Sequence, residues 1–151
     1  MSKRGRNGRG QAVVEMLLVL PAFFGIIFVI MEFGNIAFQT VLLNHATWEA
    51  ARIGAMTATP PGGGSPAPKV SQMQGILTRV ILSATIVSAR AEPTVFDNQA
   101  GIQNNDLVLK TRYPIPLIFP ISNFFLSRPI GSGTREVQVE VRMPIERPLP
   151  K

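Results

Sequence analysis

Sixteen consecutive residues, Met16 to Met31, carry no charge, and the apolar character extends on both sides, through Gln11 to Val14 before them and Phe33 to Leu43 after them. As a helix the charge-free run rises about 24 Å, somewhat short of a hydrocarbon core of roughly 30 Å. Flanking residues, or acids at its two ends that reach toward water, must supply the rest. A soluble core helix needs no such length, so a membrane segment over about residues 12–34 is expected. A hydrophobic share of 46% and a mean hydropathy of +0.22 agree with that reading. The two bounding acids are Glu15 and Glu32, separated by about 25 Å along the helix. Glu32 is therefore expected at the outer face, as a surface residue.

The net charge of +6 is concentrated at one end. Lys3, Arg4, Arg6 and Arg9 precede the apolar run, and without them 11 basic residues stand against 9 acidic ones. Cations before a first span hold that end in the cytoplasm and send the remainder outward. These four residues thus read as a topology signal for a single-pass inner-membrane protein with an extracytoplasmic C-terminal domain. Nucleic-acid binding by KRGRNGR is the lesser reading, because no aromatic residue interleaves the cluster, and no nucleic-acid partner is expected. The chain has no cysteine, so an outer domain must hold together by packing and not by disulfides.

An N-terminal span of this kind has three uses. A secretory signal peptide requires a small-x-small cleavage motif after the apolar stretch, whereas Glu32, Phe33, Gly34 and Asn35 simply continue the helical pattern. A permanent single-pass anchor fits. The third use turns on Gly10, which is followed by Gln11, Ala12, Val13, Val14 and Glu15. This resembles the pattern by which type IV pilin precursors are recognised: a short basic leader, cleavage after glycine, and an acid at the fifth position of the mature chain.

The stretch RGQAVVEMLLVLPAFFGIIFVIMEFGNIAFQTVLLNHATWEAARIGA is similar to the TadE-like family, minor pilins of tight adherence (Tad) pili. The likeness rests on Gly10, Val14-Glu15, Leu18 to Pro21, Glu32-Phe33-Gly34 and the alanine-rich exit from Ala46 to Ala55. Near the C-terminus it rests on Tyr113-Pro114, an apolar proline-rich segment and a last strand ending in Arg142-Met143-Pro144. It is weakest from about Thr57 to Asn105. One departure is Met16, where Tad prepilins often place an aromatic residue. The resemblance implies a pilin-like fold, with residues 1–10 as a leader that a prepilin peptidase removes between Gly10 and Gln11. It also implies sister minor pilins, a major pilin and an inner-membrane assembly platform as partners, and a part in assembling a Tad-type pilus for surface adherence. The competing reading is a permanently anchored accessory protein, neither processed nor polymerised, whose ectodomain binds envelope partners. Envelope binding without any pilus is a third and weaker option.

Cleavage after Gly10 would give Gln11 a free ammonium, and in an assembly that ammonium can meet the Glu15 carboxylate of an adjacent subunit. An isolated charge at the bilayer centre costs about 2.5 kcal/mol or more. Pairing in low dielectric offsets that cost and sets axial register, because a displaced neighbour leaves two unpaired charges. The bland alternative places Glu15 among headgroups with Arg9 as a casual partner. Pro21 removes one backbone hydrogen bond and favours a bend, which membrane helices tolerate.

Beyond Leu43 the pattern predicts that the helix runs on to about residue 57, since NHATWEAARIGAM contains no breaker. Ala46, Ala50, Gly54 and Ala58 recur every four residues, a stripe that lets another backbone approach closely. Glu49 and Arg52 are spaced to pair at i,i+3, and Trp48 suits either a core contact or the headgroup level. Residues 58–68, rich in proline and glycine, form a linker. Its three glycines lack the lysine and hydroxyl of a phosphate loop. Residues 69–151 then form an extracytoplasmic α+β domain. An amphipathic helix is predicted from about Lys69 to Ser83, with Val70, Met73, Leu77, Val80, Ile81 and Ala84 on one face. Strands are predicted at Thr85 to Arg90, Asp106 to Tyr113 and Thr134 to Met143. In the last of these Val137, Val139, Val141 and Met143 alternate with Glu136, Gln138, Glu140 and Arg142, whose charges can match Lys110 and Arg112 across an antiparallel sheet.

Residues 113–126, YPIPLIFPISNFFL, are very apolar but broken by Pro114, Pro116 and Pro120, which argues against a second span. Either this segment covers the sheet or the exposed part of the long helix, or it is an exposed patch for a membrane surface or a partner. Catalytic chemistry has no foothold: His45 is the only histidine, and a metal site needs several donors. No enzyme activity, cofactor or metal is expected, and His45 reads as a surface residue.

Overall fold

Fifty residues in one helix, α1 (Gly8–Thr57), form the spine of the protein in the computed structural model, which describes residues 8–59, 67–94, 105–119 and 122–145. Lys3, Arg4 and Arg6 lie outside the described residues, as do residues 60–66 of the expected linker. The rest of the order is α2 (Val70–Val80), β1 (Thr85–Pro93), β2 (Asn105–Pro116), α3 (Ser122–Leu126) and β3 (Thr134–Pro144). The fold is α+β: a long apolar helix followed by a three-stranded antiparallel sheet, order β1-β2-β3, with short helices.

The strands form where alternation and β-branched residues predict them, and all three run further, β1 to Pro93, β2 to Pro116 and β3 to Pro144. Pro114 and Pro116 fall inside β2, although proline cannot donate to a ladder and is tolerated only where a strand has an open edge. The register supplies that edge. The β1 pairing ends at Thr85 opposite Arg112, while β3 continues to pair as far as Thr134 opposite Pro116. The last residues of β2 therefore have one neighbour, and the prolines alternate with buried Tyr113 and Ile115. On the outer face Arg112 pairs with Glu136 at 3.6 Å and Arg142 with Glu92 at 3.0 Å. Lys110 stands opposite Glu140. These exposed pairs each contribute a few tenths of a kcal/mol, roughly, and serve register more than stability.

The upper half of α1 lies across the inner face of the sheet, with α2 beside it. One core cluster joins Ala50, Ala51, Ala55 and Ala58 to Met73, Leu107, Leu109 and Ile145. A second, nearer the middle of α1, joins Leu43 and Ala46 to Leu77, Ile81, Ala84, Tyr113 and Ile115. Between them Thr47 on the helix and Thr111 on β2, both fully buried, place their hydroxyl oxygens 2.7 Å apart. Thr47 also donates to the Leu43 carbonyl at 2.7 Å, so the polar pair is satisfied inside an apolar interface. The α2–β1 corner is closed by Gln74, which donates to the Ala84 carbonyl and accepts from the Ile86 amide, each at 2.9 Å.

Helix α2 is shorter than its apolar spacing predicts. Met73, Leu77, Ile81 and Ala84 are buried, whereas Val70 and Val80 remain about half exposed at its two ends. Glu49 and Arg52 do not form the expected i,i+3 ion pair; the ion pairs among the described residues are all on the sheet. Trp48 is half exposed and His45 is exposed.

Candidate functional site

Below its contacts with the sheet and with the β2–β3 connection, α1 is bare. From Val13 to Leu20 every large apolar side chain is more than half exposed. Among the described residues α1 is the one helix long and apolar enough to cross a membrane, and the C-terminal α+β domain hangs from its C-terminal half. Of the three carboxylates on this helix, Glu15, Glu32 and Glu49, the two that bound the apolar run are treated oppositely.

Glu32 is fully buried, which corrects the expectation that it lies at the surface. The connection from β2 to β3 folds down along α1 and wraps the carboxylate. The Ile118 amide donates to both oxygens, at 3.2 and 3.1 Å, and the Phe119 amide donates to Oε2 at 2.9 Å. The Ser122 hydroxyl lies 3.1 Å from Oε2 and 2.6 Å from the Phe119 carbonyl, so its single proton is divided between two acceptors. Asn35, one turn up the helix, makes longer contacts of 3.4 Å to Oε1 and to the Pro116 carbonyl. Bonds from amides to an ionised carboxylate are charge-assisted and about twice as strong as neutral ones. They give a buried acid the donors that water would otherwise supply.

A ring stack braces the same point: Phe28, one turn below Glu32, lies against Phe119 with centroids 4.9 Å apart and planes 13° apart. The base of the connection is tied by the Leu117 amide to the Gly133 carbonyl at 2.8 Å and the Arg128 amide to the Thr134 carbonyl at 3.0 Å. Gly133, at φ 71°, takes a left-handed conformation open to glycine and donates to Asn123 Oδ1 at 2.8 Å. Residues 113–126 thus do cover part of the helix, through Phe119. Phe124 and Phe125, however, are 74% and 82% exposed. Pro120 and Ile121 lie outside the described residues.

Glu15 is exposed on the bare part of α1 and has no hydrogen-bond or ion-pair partner among the described side chains. Gly10, Gln11, Val14, Glu15, Leu18 and Val19 line one shallow groove along the helix, so the expected cleavage point and the acid share a face. Arg9 lies within the helix, but its side chain is outside the described ones. Pro21 is exposed within α1. Gly34 is exposed as well, with open space where a side chain would stand.

Ala46, Ala50 and Gly54, with Ala58, are buried by the chain's own sheet and α2. A Cβ added at Gly54 would stand 2.3 Å from Met73 Sδ and 2.7 Å from Leu107 Cδ2. The stripe does admit close approach, and what approaches is α2 and β2 of the same molecule. Sequence reasoning missed the Glu32 cradle because its donors are backbone amides some 86 residues away.

The family model described as TadE-like protein matches residues 10–52. The match begins at Gly10, contains Glu15 and Glu32 and lies wholly on α1. No curated protein and no solved structure matches the chain.

Proposed function

We propose, from a TadE-like segment displayed on a bare apolar helix, that this protein is a minor pilin or pseudopilin taking part in assembly of a Tad-type pilus for surface adherence. The lower half of α1 anchors it in the inner membrane, with the N-terminus cytoplasmic and the sheet domain outside. A prepilin peptidase cuts between Gly10 and Gln11. The new ammonium of one subunit then pairs with Glu15 of another, and sister minor pilins, the major pilin and the assembly platform are its partners. The role is structural and not catalytic.

The observation that carries this reading is the pairing of the TadE-like match, starting at Gly10, with a Glu15 that no described side chain answers. Anions in an apolar setting are retained where a partner meets them. N-terminal sequencing or intact-mass analysis of membrane-extracted protein tests it directly. Gln11 is expected as the first residue in wild type, with maturation or partner association impaired in Glu15→Ala. Chains beginning only at Met1 or Ser2 would overturn the processed form. A permanently anchored accessory protein is favoured by one observation: the small-residue stripe is consumed within the chain and offers no bare packing face to a neighbour. Shearing separates the two readings, since a minor pilin enters the sheared pilus fraction and an anchor stays with membranes.

A further inference from the structure

The Glu32 cradle alters where the membrane ends. With its carboxylate wrapped by amides, Glu32 presents no charge to the helix surface, and exposed Phe33, Phe38 and Val41 continue the apolar exterior above it. A hydrocarbon core of roughly 30 Å starting near Met16 reaches about residue 36. Glu32, and the β2–β3 connection pinned to it, then stand about one helical turn inside the outer boundary. The connection that starts at this level leaves Ile118, Phe124, Phe125 and Ile130 exposed, at 65%, 74%, 82% and 80%. Residues 114–135 contain no acid, and their only charges are Arg128 and Arg135. Arg128, three residues past Phe125 in the chain, is exposed, while Arg135 turns back to the Leu126 carbonyl at 3.3 Å.

We propose that the β2–β3 connection is a second membrane contact: Phe124, Phe125, Ile118 and Ile130 sink into the outer leaflet beside α1, with Arg128 directed to lipid phosphates. The occupant of this apolar surface is lipid, because the surface is continuous with the span through the Phe28–Phe119 stack and is held at its depth by Glu32. Aromatic side chains with a neighbouring cation match the headgroup boundary, where rings bury their apolar body and cations reach phosphate. The proposal rests on α1 spanning the bilayer.

The absence of cysteine permits single nitroxide labels on the full chain in vesicles of phosphatidylcholine and phosphatidylglycerol. Labels at Phe124→Cys and Phe125→Cys would be compared with Leu20→Cys in the span and Glu140→Cys on the outer face of the sheet. All four native side chains are exposed, so folding tolerates the changes. The ratio of oxygen to nickel-chelate collisions at positions 124 and 125 is expected to match Leu20→Cys and exceed Glu140→Cys several-fold. Nickel access at 124 and 125 equal to that at 140, with position 20 still in lipid, overturns the proposal and leaves the span intact. Water access at position 20 removes the span and the proposal together. Protection at 124 and 125 that vanishes on dilution with lipid assigns the surface to a second copy, and also overturns it.

Discussion

Glu15 and Glu32 are two acids on one apolar helix, and they differ in who answers them. Glu32 is enclosed by Ile118, Phe119 and Ser122 of its own chain, whereas Glu15 stands exposed on a face with no described partner. Both face the same penalty in a low-dielectric setting. An acid that its own fold satisfies serves the fold; the open acid is the one that the proposed contact with a neighbour would use. The difference divides α1 into an upper half that organises a domain and a lower half whose apolar side chains stay exposed.

The most severe way to break this contrast is Glu32→Ala. Two amides lose their acceptor while the Ser122 hydroxyl keeps the Phe119 carbonyl, and each buried donor left unpaired costs about 1–3 kcal/mol. Detachment of the connection by roughly 3 kcal/mol is expected, read as about 100-fold faster hydrogen exchange at Ile118 and Phe119. Exchange no faster than wild type would mean that the cradle holds nothing. Next comes Gly54→Val, which forces Met73 and Leu107 aside in the upper half. Overpacking of this kind costs about 1–3 kcal/mol, and a lowered thermal midpoint of the sheet domain is the readout. Glu15→Ala should change the stability of that domain least, by under about 0.5 kcal/mol, as for a surface position. The same variant should nonetheless impair maturation or partner association. A large loss of sheet-domain stability in Glu15→Ala would erase the distinction between the two acids.

What could be read from the residues was local. The spacing of Gly10 and Glu15, the continuity of α1, the alternation in β3 and the amphipathic stripe of α2 all express themselves within a few positions. What could not be read was long-range and carried by backbone. Peptide amides have no identity in a sequence, so nothing marks Ile118 and Phe119 as the donors for Glu32. The stripe through Ala46, Ala50 and Gly54 announced close packing but not its partner, because smallness fits any approaching surface equally. The prolines of β2 suggested an early strand end at Tyr113, and only the register shows that β1 has stopped by then and left a permissive edge.

The attachment of the sheet domain to α1 extends from Phe28, through the ring stack, to Ala55 in the core. That is about 40 Å of one continuous helix. No break in α1 separates the stacked Phe28 from the sheet domain. A turn of this part of the helix about its long axis is therefore a turn of the sheet through the same angle. Whatever grips α1 at Phe28 also steers the far face of the sheet.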